Sequence, residues 1–310
     1  MERRDFLFKG IGAGLVAGLA ISTDMFAANF NKLPTASSSA LKPYDLVAVM
    51  GGEPEVMFEK GIAALGGMKA FVKKGQTVVI KPNIGWDATP ERGANTNPKL
   101  IGKIVEHCFR AGAKDVFVFD NTCDNWQKCY TNSGIEKAVK DAGGKMVTGK
   151  SDGMYKEVNI PKGVKLKKAR VHELILNSDV FINVPVLKHH GGAMISVSMK
   201  NLMGIVADRG FWHKNDLQQC IADLPTWRKP DLNIVDAYRV MKTNGPRGVS
   251  VSDISIMKAQ FISRDIVAVD TAAAKTFGLD PKTVGHIVKA QEHGLGSMSL
   301  EKLNINRIKI

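Results

Sequence analysis

The chain has 310 residues, 44% of them hydrophobic and 24% charged, with aromatics at only 7%. This is globular composition, long enough for one large domain or two intertwined lobes, and the absence of a long internal period excludes a repeat architecture. The formal net charge of +13 favours anionic partners by raising their local concentration and on-rate, without by itself indicating nucleic acid.

The N-terminus reads as an export signal. "ERRDFLFKG" sets Arg3-Arg4 before Phe6-Leu7, with Lys9 closing a twin-arginine-like motif, and the Gly/Ala-rich run "IGAGLVAGLAI" (11–21) leads to small residues around Ala27-Ala28. That run is about half of the ~20 residues a membrane span needs. The expected organisation is a signal over 1–28, a linker over 29–43 containing "NKLPTASSSALKP", and one domain over 44–310. The twin-arginine export machinery is then a partner, the location periplasmic or otherwise exported, and no stable membrane span is expected once the signal is removed.

From Tyr44 onward, strand-length apolar runs alternate with helical patterns. "DLVAVMGG", "QTVVIKPNIG", "KDVFVFDNT", "KMVTG", "DVFINVPV", "LNIVDAY", the first part of "ISIMKAQFISRDIVAVD" and "LNINRIKI" read as strands. Between them lie helical segments, among them "NPKLIGKIVEHCFRAGA", with Asn97 as cap and Pro98 in its first turn. Continuous Val/Ile/Phe strands separated by helices define an α/β fold, a mainly parallel sheet with helices on both faces. Residues 149–178 read as a small inserted hairpin. Its basic stretch "KGVKLKKAR" (162–170) interleaves apolar residues and lacks aromatics to stack bases, which fits a solvated strand edge, and no nucleic-acid partner is expected.

Open parallel sheets bind ligands where loops leave the strands at their C-terminal ends. Polar residues collect at those positions here. Lys81-Pro82-Asn83 follows "TVVI", Asp120-Asn121-Thr122 follows "VFVF", Asn183, Lys188, His189 and His190 follow "VFI", and Asp236 follows "LNIV". Lys200 and Asn201 sit on the next helical segment, "SVSMKNLMGIVAD", and are expected to reach the same pocket. Lysines at strand ends suit a carboxylate or phosphate, and a buried lysine with a lowered pKa can act as base or nucleophile. His190 suits acid–base chemistry. Gly191-Gly192 would let backbone approach a ligand, and a helix start after it would offer N–H groups to an anion. Pro82 and Pro185 should end or bend their strands.

The four cysteines do not make a disulfide framework. Cys108 and Cys220 read as core residues; Cys123 and Cys129 read either as one bridge or as loop residues. No C-x-x-C pair or ferredoxin-type cysteine run is present, and no phosphate-loop or dinucleotide motif follows a strand, so neither a cluster nor a nucleotide held by those motifs is expected. His190, His213, Asp120 and Asp236 form an N/O set compatible with a metal, but no short spacing specifies it, and both metal and cofactor stay unknown. Asp265 and Asp270 in "SRDIVAVD" read as caps of the following helix.

The stretches "VIKPN" (79–83), "TNPKLIGKIVEHCFRAGAKDVFVFDN" (96–121), "SDVFINVPVLKHHGGAMISVSMKNLMGIV" (178–206), "IADLPTWRKPDLNIVDAYRVM" (221–241), "GP" (245–246) and "RDIVAVDTAAAKTFGLDP" (264–281) together resemble the DUF362 family. In that family Asn-x-Pro is commonly followed by a Leu-Lys-Thr-His-like sequence. The resemblance therefore puts Lys188 and His190 on the pattern and His189 at the threonine position. Some members carry a ferredoxin-like cluster domain; the cysteines for it are missing here, so that redox role does not carry over. The residues imply an exported enzyme acting on a small anionic ligand. Lys188 and His190 would be catalytic, and Lys81, Asn83, Asp120, Asn183, Lys200, Asn201 and Asp236 would bind the ligand. The alternative is a periplasmic ligand- or metal-binding accessory protein without catalysis.

Overall fold

The computed structural model describes residues 21–35 and 43–310. The twin arginines and most of the apolar signal-like run lie outside the described residues, as does 36–42 of the expected linker. Among the described residues no helix is long and apolar enough to cross a membrane.

The chain runs through α1 (Thr23–Asn31), β1 (Leu46–Met50), α2 (Pro54–Ala64), β2 (Thr77–Pro82), α3 (Pro98–Ala111) and β3 (Asp115–Val118). Two short helices, α4 (Trp126–Asn132) and α5 (Ile135–Asp141), lead to β4 (Lys145–Met146). Next, β5 (Tyr155–Asn159) and β6 (Lys168–His172) pair antiparallel as the expected inserted hairpin. After α6 (Glu173–Asn177) come β7 (Val180–Val184), β8 (Val186–His190) and β9 (Met194–Ser196). Three short helices follow, α7 (Ser198–Asn201), α8 (Arg209–Lys214) and α9 (Leu217–Asp223). The last elements are β10 (Leu232–Met241), β11 (Ile254–Ser263), α10 (Ile266–Phe277), α11 (Gly285–Glu292) and β12 (Ile305–Lys309).

The main sheet is ordered β12-β1-β11-β10-β7-β2-β3-β4, with β8 beside β10 and β9 beside β8. Neighbours from β10 through β4 are parallel, and β11 runs antiparallel to both β1 and β10. Side-chain alternation explains why both faces are covered. Val78, Ile80, Val180 and Ile182 pack into the cluster that holds Leu100, Ile104 and Val139 of α3 and α5. Their neighbours Val79 and Phe181 point the other way, into the cluster of α1, α9, α10 and α11. Helix α3 begins as its sequence indicates: the Asn97 side chain accepts from the Lys99 N–H, Pro98 fills the first turn, and Gly112 closes the helix at φ 102°.

Two expectations change. The stretch after Pro185 is not a loop. Pro185 interrupts the strand, and the chain resumes as β8, which takes over from β7 along β10 and pairs with β9. Strand alternation then puts Lys188 and His190 on one face and His189 on the other. The expected linker also begins later than 29. Helix α1 runs through Asn31, and its Phe26 and Phe30 are fully buried, Phe30 lying 6.0 Å from the Phe261 ring. The aromatics that flank the small residues Ala27-Ala28 form a packing face. We predict that Phe30→Ala lowers folding stability by about 3–5 kcal/mol, measured by chemical denaturation. An unchanged midpoint would detach α1 from the fold.

Candidate functional site

A cavity of about 370 Å³ opens at the C-terminal edge of the parallel strands. Its wall brings together Lys81 and Asn83 from the end of β2, Asp120 after β3, Lys188 and His190 from β8, and Lys200 and Asn201 from α7. Asn183 lies one layer behind, fully buried, where its Nδ2 donates to Ser198 O and Asn233 Oδ1, both at 3.0 Å. Asp236 does not join them. It sits within β10 instead of at its end, and its carboxylate accepts from the Asn97 N–H at 2.7 Å and the Tyr238 N–H at 3.0 Å. Its role there is to hold the start of α3, and burial pushes its carboxyl up to about 6.

The polar floor is a connected network. Lys81 Nζ, 1% exposed, pairs with Asp120 Oδ1 at 2.8 Å and donates to Asn201 Oδ1 at 2.9 Å and Pro82 O at 2.6 Å. Two hydrogen bonds and an ion pair thus commit the Lys81 ammonium to the protein. Burial draws its pKa below the ordinary lysine value, opposed by Asp120. Asp120 Oδ2 accepts from the Ile84 N–H at 2.7 Å. Asn201 Nδ2 donates to Asn183 Oδ1 at 2.9 Å and Lys81 O at 3.2 Å, while its Oδ1 also accepts from Asn83 Nδ2 at 3.2 Å. Lys81, Asn183 and Asn201 thus build the wall more than they face its contents.

Lys188, Lys200 and His190 differ in having no carboxylate partner among the described residues. Lys188 is 1% exposed; its Nζ donates to Ala94 O at 2.5 Å and to Asn83 Oδ1 at 3.4 Å. Burial, with Lys200 and Lys81 nearby, pushes it down to about 7. Lys200 is half-buried, and burial with the Arg209 and Lys81 charges pushes it down to about 8. His190 Nδ1 accepts from the Gly192 N–H at 3.1 Å and the Ala193 N–H at 3.0 Å. Two donors at Nδ1 leave the proton on Nε2. Burial and the lysine charges push the ring down to about 3, so it is neutral and presents Nε2–H to the cavity.

That arrangement revises two expectations. A neutral histidine with its lone pair occupied donates a hydrogen bond but does not serve as the base. The N–H groups after Gly191-Gly192 are consumed by His190 and lead into a strand, β9, instead of a helix, so they offer nothing to an anion. Asp265 caps α10 as expected, accepting from the Val267 and Ala268 N–H groups. Asp270 does not: it lies inside α10 and caps the neighbouring α7, accepting from the Ser198 N–H at 2.8 Å and the Met199 N–H at 3.0 Å. Complete burial pushes its carboxyl up to about 7.

The expected metal set is not assembled, because Asp236 is elsewhere and Asp120 is committed to Lys81 and Ile84. Ligation through His190 Nε2 would force a proton onto Nδ1, against two N–H donors. Among the described residues no group of three or more His, Cys, Asp and Glu side chains is placed to hold a metal. All four cysteines are free; Cys123 is exposed in its loop and Cys129 is buried in α4, so no bridge joins them.

Sequence reasoning missed Arg209, Trp86 and Cys123, which also line the cavity. Arg209 Nη2 donates to Thr122 O at 2.8 Å, and Nη1 lies 3.5 Å from Cys123 Sγ. Trp86 lies beneath Arg247 at 5.8 Å. None follows a strand directly, and the signal for Arg209 was its place on α8 beside His213, which lines the same cavity.

Fold and site together define an α/β protein with a cationic pocket at the C-terminal edge of a parallel sheet. The chain belongs to the DUF362 family, a domain of unknown function, whose family model matches residues 78–275. A thylakoid-associated protein of Synechocystis sp. is 24% identical over 245 residues, covering 76% of this chain and 74% of that protein. The lactate racemase apoprotein of Thermoanaerobacterium thermosaccharolyticum superposes with a TM-score of 0.45 at 12% identity, over 84% of this chain. A Thermotoga maritima protein gives 0.44 at 11% identity over 74% of this chain. This chain spans 61% and 60% of those two structures.

Gly204 tests the floor directly. A Cβ there would overlap Asp120 Oδ1 and Lys81 Nζ, whereas one at Gly191 meets nothing within 4 Å. We predict that Gly204→Ala destabilises the fold by roughly 3–5 kcal/mol by separating a buried ion pair, while Gly191→Ala is silent. Thermal denaturation of the two variants checks this, and equal stabilities would remove the ion pair from its structural role.

Proposed function

We propose that the chain is an exported enzyme acting on a small anionic substrate, which Lys200 and Arg209 hold while Lys188 accepts a proton from it. The observation that carries the reading is a pocket with three cationic side chains beyond Lys81 and one lining carboxylate, Asp120, which Lys81 already neutralises. Charge of one sign in a low-dielectric cleft concentrates an anion. The twin-arginine-like N-terminus supports the exported setting.

The chemistry follows from protonation states. A lysine at about 7 is half neutral at physiological pH and can act as a general base. In the step, a C–H bond next to the substrate's carboxylate or carbonyl breaks, an N–H bond forms on Lys188 Nζ, and the electron pair moves onto oxygen. Nε2–H of His190 donates to that oxygen, the contribution of a preorganised neutral donor to developing charge. Two buried hydrogen bonds keep the Lys188 amine in place through the transfer.

The pH dependence has a definite sign. Lys188 gains its neutral form as pH rises through about 7, and Lys200 loses its positive charge as pH rises through about 8. Activity should therefore climb through the first value, peak in the narrow window between them and fall above the second. Deuterium exchange into short carboxylates in D2O, followed by NMR, reads this profile. Lys188→Gln should lower exchange by roughly 10²-fold or more while anion binding persists. Exchange that survives Lys188→Gln removes the base; anion binding without exchange by the wild type leaves a binding protein.

A further inference from the structure

The charges of the pocket also define the ligand's own charge, an inference that rests on the anion reading above. Lys81 and Asp120 cancel at 2.8 Å. His190 is neutral because its Nδ1 is occupied by two backbone N–H groups. Lys188 donates to Ala94 O and Asn83 Oδ1 and, lowered to about 7 by burial, is about half neutral at physiological pH as the base of the proposed step, so it does not carry a full charge. Two full positive charges are left over, Lys200 and Arg209, and neither has a carboxylate partner among the described residues. Lys200 Nζ makes no hydrogen bond to protein among the described residues. Arg209 gives one N–H to Thr122 O and points another at Cys123 Sγ, leaving guanidinium donors for a ligand.

Like charges sharing a poorly solvated wall repel, and the repulsion is relieved fully only by an equal opposite charge. A monoanion would leave one of the two cations uncompensated. The arrangement also has polarity. Lys200 and Arg209 are half-buried, whereas Lys188 and His190 are 1% and 8% exposed. Charged groups therefore belong toward the opening, and the uncharged, reacting part of the ligand belongs at the bottom.

We propose that the ligand of this pocket is a small dianion, a short dicarboxylate or a phosphomonoester, whose two negative charges are shared between Lys200 and Arg209 while its uncharged part faces Lys188 and His190. The cavity, about 370 Å³, is large enough to enclose either kind of molecule. Arg209 is accordingly the specificity-determining residue: its bidentate fork distinguishes two charges from one.

The test compares matched pairs by calorimetry on the purified chain: succinate against monomethyl succinate, and methyl phosphate against dimethyl phosphate. The dianion of at least one pair should bind roughly tenfold or more tightly than its monoanionic partner; the pair that shows the difference identifies the ligand as carboxylate or phosphate. In Arg209→Gln that ratio should fall to about one, and in Arg209→Lys it should survive in part, since the charge remains and the fork is lost. A ratio near one in the wild type, with binding still weakened by Lys200→Gln, overturns the dianion and leaves the anion pocket standing. A dianion preference that persists unchanged in Arg209→Gln overturns the assignment of the second charge to Arg209. Failure of all four probes to bind overturns the anion pocket itself, and the dianion with it.

Discussion

The site depends on one buried interaction, the Lys81–Asp120 ion pair braced by Asn201. Its members come from β2, from the turn after the neighbouring β3 and from α7, so one cluster ties the end of two paired strands to α7. Removing either partner from such a pair strands a charge in a low-dielectric interior, a loss of about 3–5 kcal/mol. The pair survives burial because neutral groups brace it: Lys81 also donates to Pro82 O and Asn201 Oδ1, and Asn201 accepts from Lys81 and Asn83 while donating to Asn183 and to Lys81 O. Gly204 is the residue that permits this approach, its missing side chain leaving room for the carboxylate and the ammonium.

Around that neutral floor the remaining cations are left without partners, and each is tuned by what it touches. Lys188 is lowered most because it is enclosed and receives only neutral acceptors. Lys200 is lowered less, being nearer the opening. His190 shows the strongest control, since two backbone donors fix its tautomer before any substrate arrives. The residue that sequence alone suggests for proton transfer is thereby made a donor, and the group free to take a proton in the proposed reaction is the lysine two positions earlier on the same face of β8.

Much of this was legible in the sequence because parallel sheets collect function at strand ends. Lys81, Asn83 and Asp120 reach one cavity for that reason, joined by Lys188 and His190 from β8 and by Lys200 and Asn201 from α7. The exceptions have physical causes. Asp236 follows an apolar run that ends the recognisable pattern, but β10 continues to Met241, so the position that looked like a strand end is a strand middle. Asp270 obeys capping chemistry on a helix distant in sequence, which no local rule reveals. The small residues Ala27-Ala28 fit a signal's end, but the flanking Phe26 and Phe30 are buried on a core helix. Arg209 was hidden because α8 reaches the pocket from a loop, where no strand-end rule applies.

Leaving cations unpaired is costly to the fold, and the pattern of pairing shows where that cost is confined. The deepest titratable groups on the structural side are satisfied: Asp120 by Lys81 and a backbone N–H, Asp236 by two N–H groups, and Asp270 by the start of α7. Among the described residues, Lys188 and Lys200, which face the cavity, have no carboxylate beside them. A fold selected for stability alone would place carboxylates beside Lys188 and Lys200, or replace them with apolar side chains. Their retention inside a polar cleft, next to a neutral histidine held as a donor, locates the destabilisation where an anionic ligand would remove it. On the proposed reading, ligand binding and folding are coupled in this pocket: an anion that neutralised Lys200 and Arg209 would also stabilise the chain that holds it.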